Sequence, residues 1–303
     1  ATTEIYTLSL HDALPICYTF WFHFSTLGCI FAKRHMGFTF KPMCATRTHG
    51  FDLYEERSLG WQPFKKFMDR NLDGIFFISL EGKNYYSRVF ACGVADKYHL
   101  AYLGTDNFFT PKEYECSTVL RIVSCSYVVA VKRLHLIIDA LLKSCENGTE
   151  IEWTHIGGGE DFDEIFSYAQ EKLGGKVKFQ FVGHKDNLSV LEFYASHSFD
   201  LFINLSESEG LPVSMMEESS FGIPIIATDV GGVSEIVCAE NGFIVNSDNC
   251  VEEAADTICR FDSLSFTEKK EMRKNARAMW ENRFNATNNY LNFAQKLLEL
   301  AEF

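Results

Sequence analysis

The fold of this chain is decided by residues 199–230, FDLFINLSESEGLPVSMMEESSFGIPIIATDV. Residues 199–206 and 223–229 are continuous apolar runs, and SMMEESSFG between them predicts a short helix that ends at Gly222. Strands that are apolar on both faces and separated by a helix are typical of a parallel sheet covered by helices on both sides. The stretch therefore predicts a strand–helix–strand unit of an α/β domain.

The same alternation extends from this stretch in both directions. Further strands are predicted at residues 120–125, 151–157, 176–183 and 242–246. Apolar residues at helical spacing predict helices between them, and the chain after residue 250 is predicted to be helical. The whole pattern predicts a doubly wound α/β domain built on a parallel sheet.

The first third of the chain carries a weaker version of the pattern. Strands are predicted at residues 41–48, 73–80 and 97–104. Residues 104–117 are rich in turn formers and include Pro111, which predicts a linker. We therefore expect a small, partial α/β domain over residues 17–111 and a complete one over residues 112–285. We expect the last helix, 286–303, to pack back toward the first domain.

Two segments lie near the start of the chain, residues 16–32 and residues 7–16. Residues 16–32, ICYTFWFHFSTLGCIFA, are shorter than the roughly 20 apolar residues that a membrane span needs and include polar side chains, so we predict a buried core helix. Residues 7–16, TLSLHDALPI, match the translation of one reading frame of a common short-read sequencing adapter. We therefore treat residues 1–16 as an adapter artefact and expect the biological N-terminus to lie outside this sequence.

Composition limits the classes of function. The chain has 303 residues, with 28 Lys and Arg against 41 Asp and Glu, and a formal net charge of −13. This balance argues against a nucleic-acid-binding surface, because the phosphate backbone needs clustered cations. The ten cysteines include no C-x-x-C pair, which argues against zinc ribbons and redox motifs and fits a reducing cytosol.

The strongest candidate site is the start of the helix after residue 206, because ligands of open parallel sheets bind at the carboxyl ends of strands. Pro212 suits the first helical position, which places Leu211 at the cap. Leucine accepts no hydrogen bond from the first turn, so the backbone N–H groups of Val213 and Ser214 are left for water or an anion. Such a helix start is a phosphate site.

Two glutamates flank this helix start. Glu209 precedes the helix, and Glu217 lies about one turn inside it. A carboxylate repels a neighbouring phosphate, so beside a bound phosphate both side chains must face neutral hydroxyls, such as those of a sugar and a ribose. The alternative is a solvated acidic first turn that the helix dipole alone favours. The spacing leaves both interpretations open.

The other two strand ends carry weaker signals. IGGGED, residues 156–161, has three glycines that permit a close backbone approach, but Glu160 and Asp161 disfavour a phosphate there. A tight structural turn and a contact with a nucleobase therefore both stay open. TDVGGVSE, residues 228–235, predicts a short helix that opens toward the same cleft.

Two further residues are candidates by position. Lys132 begins a helix after strand 120–125, where the dipole disfavours a cation, so it pairs with a diphosphate or is a solvated surface lysine. Arg133 competes for either role. His49 follows strand 41–48 and precedes Gly50, which predicts a position at a strand end near a cleft. No G-x-S-x-G, H-E-x-x-H or G-x-x-x-x-G-K-[ST] motif occurs.

These residues resemble a known family. Residues 204–237 followed by NGFIV closely resemble the nucleotide-sugar half of the family four retaining glycosyltransferases, which have GT-B architecture. The spacing of Glu209 and Glu217 resembles the paired-glutamate signature of that family. The similarity also covers IVSCSYVVAVKRLHLIIDALL, the IGGGED turn and KVKFQFVGH, and it spans roughly residues 40–300. RTHGFDLYEER and FFISLEGKNYY resemble first-domain segments of bacterial members that build surface polysaccharides.

The resemblance implies a fold and a reaction. The fold is α/β, GT-B, with two Rossmann-like domains that face a cleft, the first of them incomplete. The reaction is the transfer of a sugar, with retention, from a nucleoside-diphosphate sugar to a saccharide or lipid-linked saccharide. The family carries this out without a bound metal. The implied location is cytoplasmic, with peripheral contact at the inner membrane face, where WQPFKKFMDR offers either a basic-aromatic patch or an ordinary amphipathic helix.

The resemblance also implies roles for individual residues. Glu217 holds the ribose hydroxyls of the donor, Glu209 faces the donor sugar, and His49 reaches the sugar or its phosphate from the first domain. The remaining donor-binding residues are Lys132, Gly210, Leu211 and Val213 at the diphosphate, together with Gly157 and Gly183.

Two departures from the family leave alternatives open. Many members have Arg where this chain has Tyr127, so Arg133 or a group of the first domain would have to neutralise the diphosphate with Lys132. The first domain is also short, with about three predicted strands and without the family's first strand and its glycine-rich loop. A nucleotide-sugar epimerase of GT-B architecture and a catalytically dead fragment that binds nucleotide sugar are therefore alternative interpretations.

Overall fold

The computed structural model describes residues 16–35, 42–55, 62–115 and 117–301, and the backbone of residues 5–8. The chain forms two compact units. The first unit contains the chain up to Gly104 and again from Ala286, and the second unit is Thr105–Asn285. The second unit thus begins at Thr105, where the sequence analysis places the boundary at residue 112.

The first unit is built on one sheet. Its strands within the described ranges are β1 Ile5–Leu8, β2 Ile16–Thr19, β3 Met43–Thr48, β4 Gly74–Phe77 and β5 Tyr98–Leu100. Their spatial order is β1-β2-β3-β4-β5, with β1 antiparallel to β2 and all other pairs parallel. The helices that accompany them are α1 Phe24–His35, α2 Lys65–Asp69 and α3 Leu80–Val89.

The three predicted strands of this unit are present as β3, β4 and β5, but the prediction of a core helix over residues 16–32 is wrong. Residues 16–19 form β2, because Ile16 and Tyr18 pack into one apolar cluster while Cys17 packs against another, which is the alternation of a strand. The helix begins only at Phe24, and it leaves Phe24 and Phe31 exposed. It is therefore a half-buried surface helix. Residues 9–15 of the adapter-like segment lie outside the described residues, and the origin of that segment stays a prediction.

The second unit contains a six-stranded parallel sheet. Its strands are β6 Leu120–Cys125, β7 Ile151–Ile156, β8 Lys178–Gly183, β9 Leu201–Asn204, β10 Ile225–Thr228 and β11 Gly242–Val245. They lie in the order β11-β10-β9-β6-β7-β8, and each neighbouring pair is parallel. The chain builds outward from β6 in one direction and then returns to its other side, so the topological switch point lies between β6 and β9.

Helices cover this sheet and complete the doubly wound α/β architecture, which confirms the predicted fold class. They are α4 Leu134–Glu146, α5 Phe162–Leu173, α6 Asn187–Ser196, α7 Val213–Ser220, α8 Cys250–Asp262 and α9 Phe266–Met279. Ile122, Trp153, Leu201 and Ile226 are buried in the core between the strands and the helices. The apolar strand residues that predict the sheet are therefore also the residues that hold it together.

The last helix, α10 Ala286–Ala301, belongs to the first unit. Its Phe293 ring contacts Tyr18 and Phe76 edge-on, at centroid distances of 5.1 and 4.8 Å. Leu297 and Ala301 are buried in the same cluster. Over the part of the chain that the structure describes, no helix is long and apolar enough to cross a membrane.

Candidate functional site

A cavity of about 330 Å³ opens at the carboxyl ends of the strands of the second unit, beside the switch point between β6 and β9. Its wall is formed by residues that follow β6, β7, β8 and β9. These wall residues are Cys125, Ser126, Tyr127, Lys132, Ile156, Gly157, His184, Lys185, Asn187, Val190, Glu209, Pro212, Val213 and Ser214. Open α/β sheets bind their ligands at this position.

The start of α7 lies on the cavity wall. The helix begins at Val213, and its N-cap residue Pro212 has φ −71° and ψ 117° and makes no side-chain cap hydrogen bond. The prediction that Pro212 is the first helical residue and Leu211 the cap is wrong by one position, because the extended ψ of Pro212 places it outside the helix. The first turn is uncapped, as predicted, so its N–H groups are left for a ligand.

Lys132 and Glu209 form an ion pair on the wall. Lys132 lies in a 3₁₀ turn, Ala130–Lys132, and its Nζ is 2.6 Å from Glu209 Oε1. Asn204 Nδ2 donates to the same oxygen at 3.4 Å. Both charged side chains are mostly buried, which argues against a solvated surface lysine and a solvated acidic turn. The pair places one cation and one carboxylate beside the uncapped helix.

Glu217 lies on α7 and is only 5% exposed, and its neighbour through a hydrogen bond, Asn187, lines the cavity. Asn187 Nδ2 donates a hydrogen bond to Glu217 Oε1. Burial raises the pKa of Glu217 to about 7, and the hydrogen bond from Asn187 opposes this shift. The next residue, Glu218, is fully buried and accepts a hydrogen bond from the hydroxyl of Tyr194, and burial also raises its pKa. The first turns of α7 therefore hold two desolvated carboxyl groups.

Glycines at two neighbouring turns fix the loops of the site. Gly231 has φ +56°, and a Cβ there would lie 1.9 Å from the carbonyl oxygen of Glu209. Gly232 N donates to Gly210 O at 2.7 Å, so the TDVGG turn braces the loop that carries Glu209. Instead of an α-helix, a 3₁₀ turn follows at Val233–Glu235.

The IGGGED turn is held against the end of β6. Gly157 has φ +149°, and a Cβ there would lie 1.8 Å from the carbonyl oxygen of Ser126. Its N–H donates to Gly183 O at 3.0 Å. Because backbone packing alone requires glycine at this position, the geometry favours the tight structural turn over the nucleobase contact.

The structure brings the predicted site residues of the second unit to one end of the sheet. Lys132, Glu209, Val213 and Gly157 are on the wall of the cavity. Gly210, Leu211, Gly183 and Glu217 are not among the residues that line it. Their roles toward a donor stay predictions.

Arg133 does not replace the arginine that the family has at Tyr127. Its guanidinium donates to Leu205 O at 2.7 Å, Ser206 O at 3.1 Å and Ser247 Oγ at 3.1 Å. These bonds tie it to the end of β9, and it is not a wall residue. Tyr127 itself is exposed on the wall, and its ring lies parallel to that of His184 with the centroids 6.2 Å apart.

His49 follows β3 in the first unit, at the strand end that the sequence predicts. Its imidazole is 7% exposed and lies against the rings of Phe20 and Trp21, with centroid distances of 4.4 Å. Burial, and then the charge of Arg47, lower the pKa of His49 to about 3, so the ring is neutral. Neither ring nitrogen has a hydrogen-bond partner among the described residues. Its reach to a donor stays a prediction.

The segment predicted as a patch or an amphipathic helix, residues 61–70, contains the short helix α2, which has buried and exposed side chains. Lys65 is buried, and its Nζ donates to the carbonyl oxygens of Phe22 and Asp52. Met68 and Asp69 are buried as well. Lys65 is therefore not a surface cation, whereas Lys66 and Arg70 are exposed, and the membrane contact of this segment stays a prediction.

Sequence reasoning missed Asn187. It is the first residue of α6, directly after Asp186, whose side chain caps the helix by accepting from Ser189 N at 2.9 Å. Its position in the sequence could have identified it, since a polar residue after β8 lies at the same edge of the sheet as Glu209 and Glu217.

The fold and the cavity define an α/β protein that binds its ligand at a sheet switch point. A comparison with protein families then gives the narrower assignment. The family model described as glycosyl transferases group 1 matches residues 111–279, which is more than half of the chain. The chain therefore belongs to the glycosyl transferases group 1 family, as the resemblance predicts.

Two curated relatives come from Escherichia coli. The O-antigen biosynthesis glycosyltransferase WbnH is 27% identical over 151 residues, which is 50% of this chain and 40% of WbnH. The putative colanic acid biosynthesis glycosyltransferase WcaL is 25% identical over 272 residues, which is 87% of this chain and 66% of WcaL. The chain thus spans between two fifths and two thirds of the length of these relatives.

Solved structures agree with the fold. Anabaena HepE in complex with UDP and glucose has a TM-score of 0.72 and 18% identity, covering 90% of this chain and 75% of HepE. Sucrose-phosphate synthase from Thermosynechococcus elongatus has a TM-score of 0.72 and 19% identity, covering 94% of this chain and 73% of the synthase. At these identities the likeness confirms the α/β fold of GT-B glycosyltransferases.

Proposed function

We propose that this chain is the catalytic part of a retaining glycosyltransferase that moves a sugar from a nucleoside-diphosphate sugar to a saccharide or lipid-linked saccharide. The observation that carries the proposal is the cavity at the switch point. It combines an uncapped helix start, the Lys132–Glu209 ion pair and the Asn187–Glu217 hydrogen bond in one place. Anion-binding and hydroxyl-binding groups are therefore adjacent, as a nucleotide sugar requires.

The diphosphate is assigned to the start of α7. The N–H groups of Val213 and Ser214 and the positive end of the helix dipole attract an anion, and Lys132 adds a full charge. When the bond between the anomeric carbon and the phosphate oxygen breaks, its electron pair stays on the diphosphate. These donors are fixed before the reaction and stabilise that developing charge.

The two glutamates are assigned to the neutral parts of the donor. Glu217 accepts from a ribose hydroxyl, and Glu209 accepts from the transferred sugar while it holds Lys132 in place. The acceptor hydroxyl bonds to the anomeric carbon on the face that the diphosphate leaves. Its proton passes to the departing phosphate oxygen. Retention of configuration follows from attack on that face.

We also propose that the transfer needs no bound metal. The charge of the leaving diphosphate is met by Lys132 and by the backbone N–H groups of α7, so the roles that a divalent cation has in other transferases are filled by the chain. A lipid-linked acceptor would bring the protein to a membrane surface. Sedimentation with vesicles that contain the lipid-linked acceptor tests that contact.

The central experiment separates binding from transfer. The purified chain is titrated calorimetrically with UDP-glucose, UDP-N-acetylglucosamine and GDP-mannose, and then incubated with each donor and a panel of oligosaccharides. Mass spectrometry detects the product, and NMR of the new glycosidic bond reports its configuration. We expect binding of at least one donor and a retained anomer. No binding to any donor would contradict the proposal, and binding without transfer would favour the binding-only alternative.

A further inference from the structure

We propose that Asn187 is a ribose-binding residue, which presents its side-chain oxygen to one hydroxyl of the donor ribose while Glu217 receives the other. The inference rests on the proposed function, since it concerns the same donor. It makes the ribose site an amide–carboxyl pair in place of a single glutamate.

The position of Asn187 is the first support. It is a wall residue of the cavity and is exposed, whereas Glu217 is buried and is not among the lining residues. The backbone at Asn187 is held in place because the Asp186 carboxylate accepts from both Ser189 N, at 2.9 Å, and Ser189 Oγ, at 3.0 Å. A ligand that reaches toward Glu217 therefore meets Asn187 as well.

The orientation of the amide is the second support. The Asn187 nitrogen faces Glu217, since Asn187 Nδ2 donates to Glu217 Oε1. The amide oxygen then points away from Glu217. Among the described residues no hydrogen bond reaches this oxygen, and none reaches Glu217 Oε2. The hydrogen bond thus holds two other atoms close together, Asn187 Oδ1 and Glu217 Oε2, and both are left to accept hydrogen bonds from a ligand.

The chemistry of these acceptors selects the ligand group. A carbonyl oxygen and a carboxyl oxygen attract hydroxyl donors and repel phosphate. A vicinal diol donates two hydrogen bonds from adjacent carbons and so matches a pair of adjacent acceptors. Lys132 and the N–H groups at the start of α7 lie together on the wall, which assigns the diphosphate there and leaves the ribose to Asn187. The other wall cation, Lys185, lies over the ring of Phe193, with its Nζ 5.6 Å from the ring centroid.

The test pairs a side-chain deletion with a hydroxyl deletion. The wild-type chain is titrated with UDP-glucose and with its 2′-deoxy and 3′-deoxy ribose analogues, and Asn187→Ala is titrated with the same three ligands. For wild type we expect each deoxy analogue to bind about tenfold more weakly, which is the scale of one lost hydrogen bond to a site left unpaired. For Asn187→Ala we expect UDP-glucose to weaken about tenfold and one deoxy analogue to bind as it does to wild type.

That pattern separates contact from structural support. If Asn187→Ala no longer distinguishes UDP-glucose from one of the two deoxy analogues, Asn187 and the missing hydroxyl are energetically coupled. A general loosening of the site would not affect one hydroxyl alone. Asn275→Ala is the matched control. This half-buried residue of α9 also makes one amide hydrogen bond, from its Nδ2 to Glu240 O at 3.1 Å, and it does not line the cavity.

The outcomes are distinct. Full discrimination against both deoxy analogues in Asn187→Ala would overturn the inference while leaving the proposed function intact. Equal weakening of all three ligands would also overturn it, because Asn187 would then act only on the shape of the site. If the wild-type chain binds none of UDP-glucose, UDP-N-acetylglucosamine and GDP-mannose, the proposed function itself fails. If only GDP-mannose binds, its deoxy analogues replace those of UDP-glucose.

Discussion

The substitution Glu217→Gln should stabilise the protein and weaken its proposed donor binding at the same time. The pKa of the Glu217 carboxyl is raised from 4.5 to about 7 by burial. The folded state therefore prefers the protonated carboxyl, and the stability that this preference contributes is fully present below pH 4.5 and lost as pH rises through 7. Glutamine has the shape of the protonated acid and does not titrate, so the variant avoids that loss.

The magnitude follows from the shift. A change of 2.5 pKa units corresponds to about 3 kcal/mol between the two protonation states. Relative to wild type, the expected gain in the free energy of unfolding is about 1 kcal/mol at pH 5 and about 3 kcal/mol at pH 8.5. At pH 8.5 the variant should bind a nucleotide sugar about tenfold more weakly than wild type does, because an ionised carboxylate accepts hydrogen bonds from hydroxyls more strongly than an amide does.

Urea denaturation at the two pH values measures the gain, and calorimetry with the best donor measures the affinity. Glu192→Gln is the matched control, because it removes an exposed carboxyl from the neighbouring helix α6. An equal effect of Glu217→Gln at pH 5 and pH 8.5 would refute the buried, titrating carboxyl. Unchanged donor affinity at pH 8.5 would refute its role at the ribose.

Three further predictions concern the same cavity. Lys132→Met should lower donor affinity and transfer about 100-fold, since the diphosphate loses a charged partner, and Lys132→Arg should recover part of both in calorimetry and turnover assays. Gly231→Ala should cost about 3 kcal/mol in urea denaturation, because its Cβ meets Glu209 O at 1.9 Å, whereas Gly148→Ala, with φ +100° and nothing within 4 Å, should cost only about 1 kcal/mol. EDTA should leave transfer unchanged, and a strict requirement for Mg²⁺ would contradict the proposed metal-free reaction.

Much of the fold was predictable from residues that act locally. β9 and β10 are mostly apolar and buried at every residue, and such runs are typical of strands with both faces of the sheet covered. The first unit was harder, because ICYTFWF contains aromatic and apolar residues that suit a helix or a strand. Pairing of β2 with β3 decided between them, and this pairing joins residues far apart in sequence.

Part of the site was equally predictable. Glu209, Glu217 and the uncapped start of α7 follow from their spacing, since the carboxyl end of a strand and the first turn of the next helix are adjacent in the chain. The position of the Arg133 side chain, outside the cavity, was not predictable. Its guanidinium is bound by the carbonyl oxygens of Leu205 and Ser206, which come to it only when β9 lies beside β6.

By itself the sequence determined the alternation of strands and helices, the family and the two glutamates, because these depend on neighbouring residues and on spacing along one element. The tertiary structure alone decided which side chains meet. It brings Lys132 into contact with Glu209 and Asn187 into contact with Glu217, and it binds the Arg133 side chain to Leu205 O, so that Arg133 does not line the cavity. The physical reason is that each of these contacts joins residues that follow different strands. Such residues come together only when the strands lie in the right order in the same sheet.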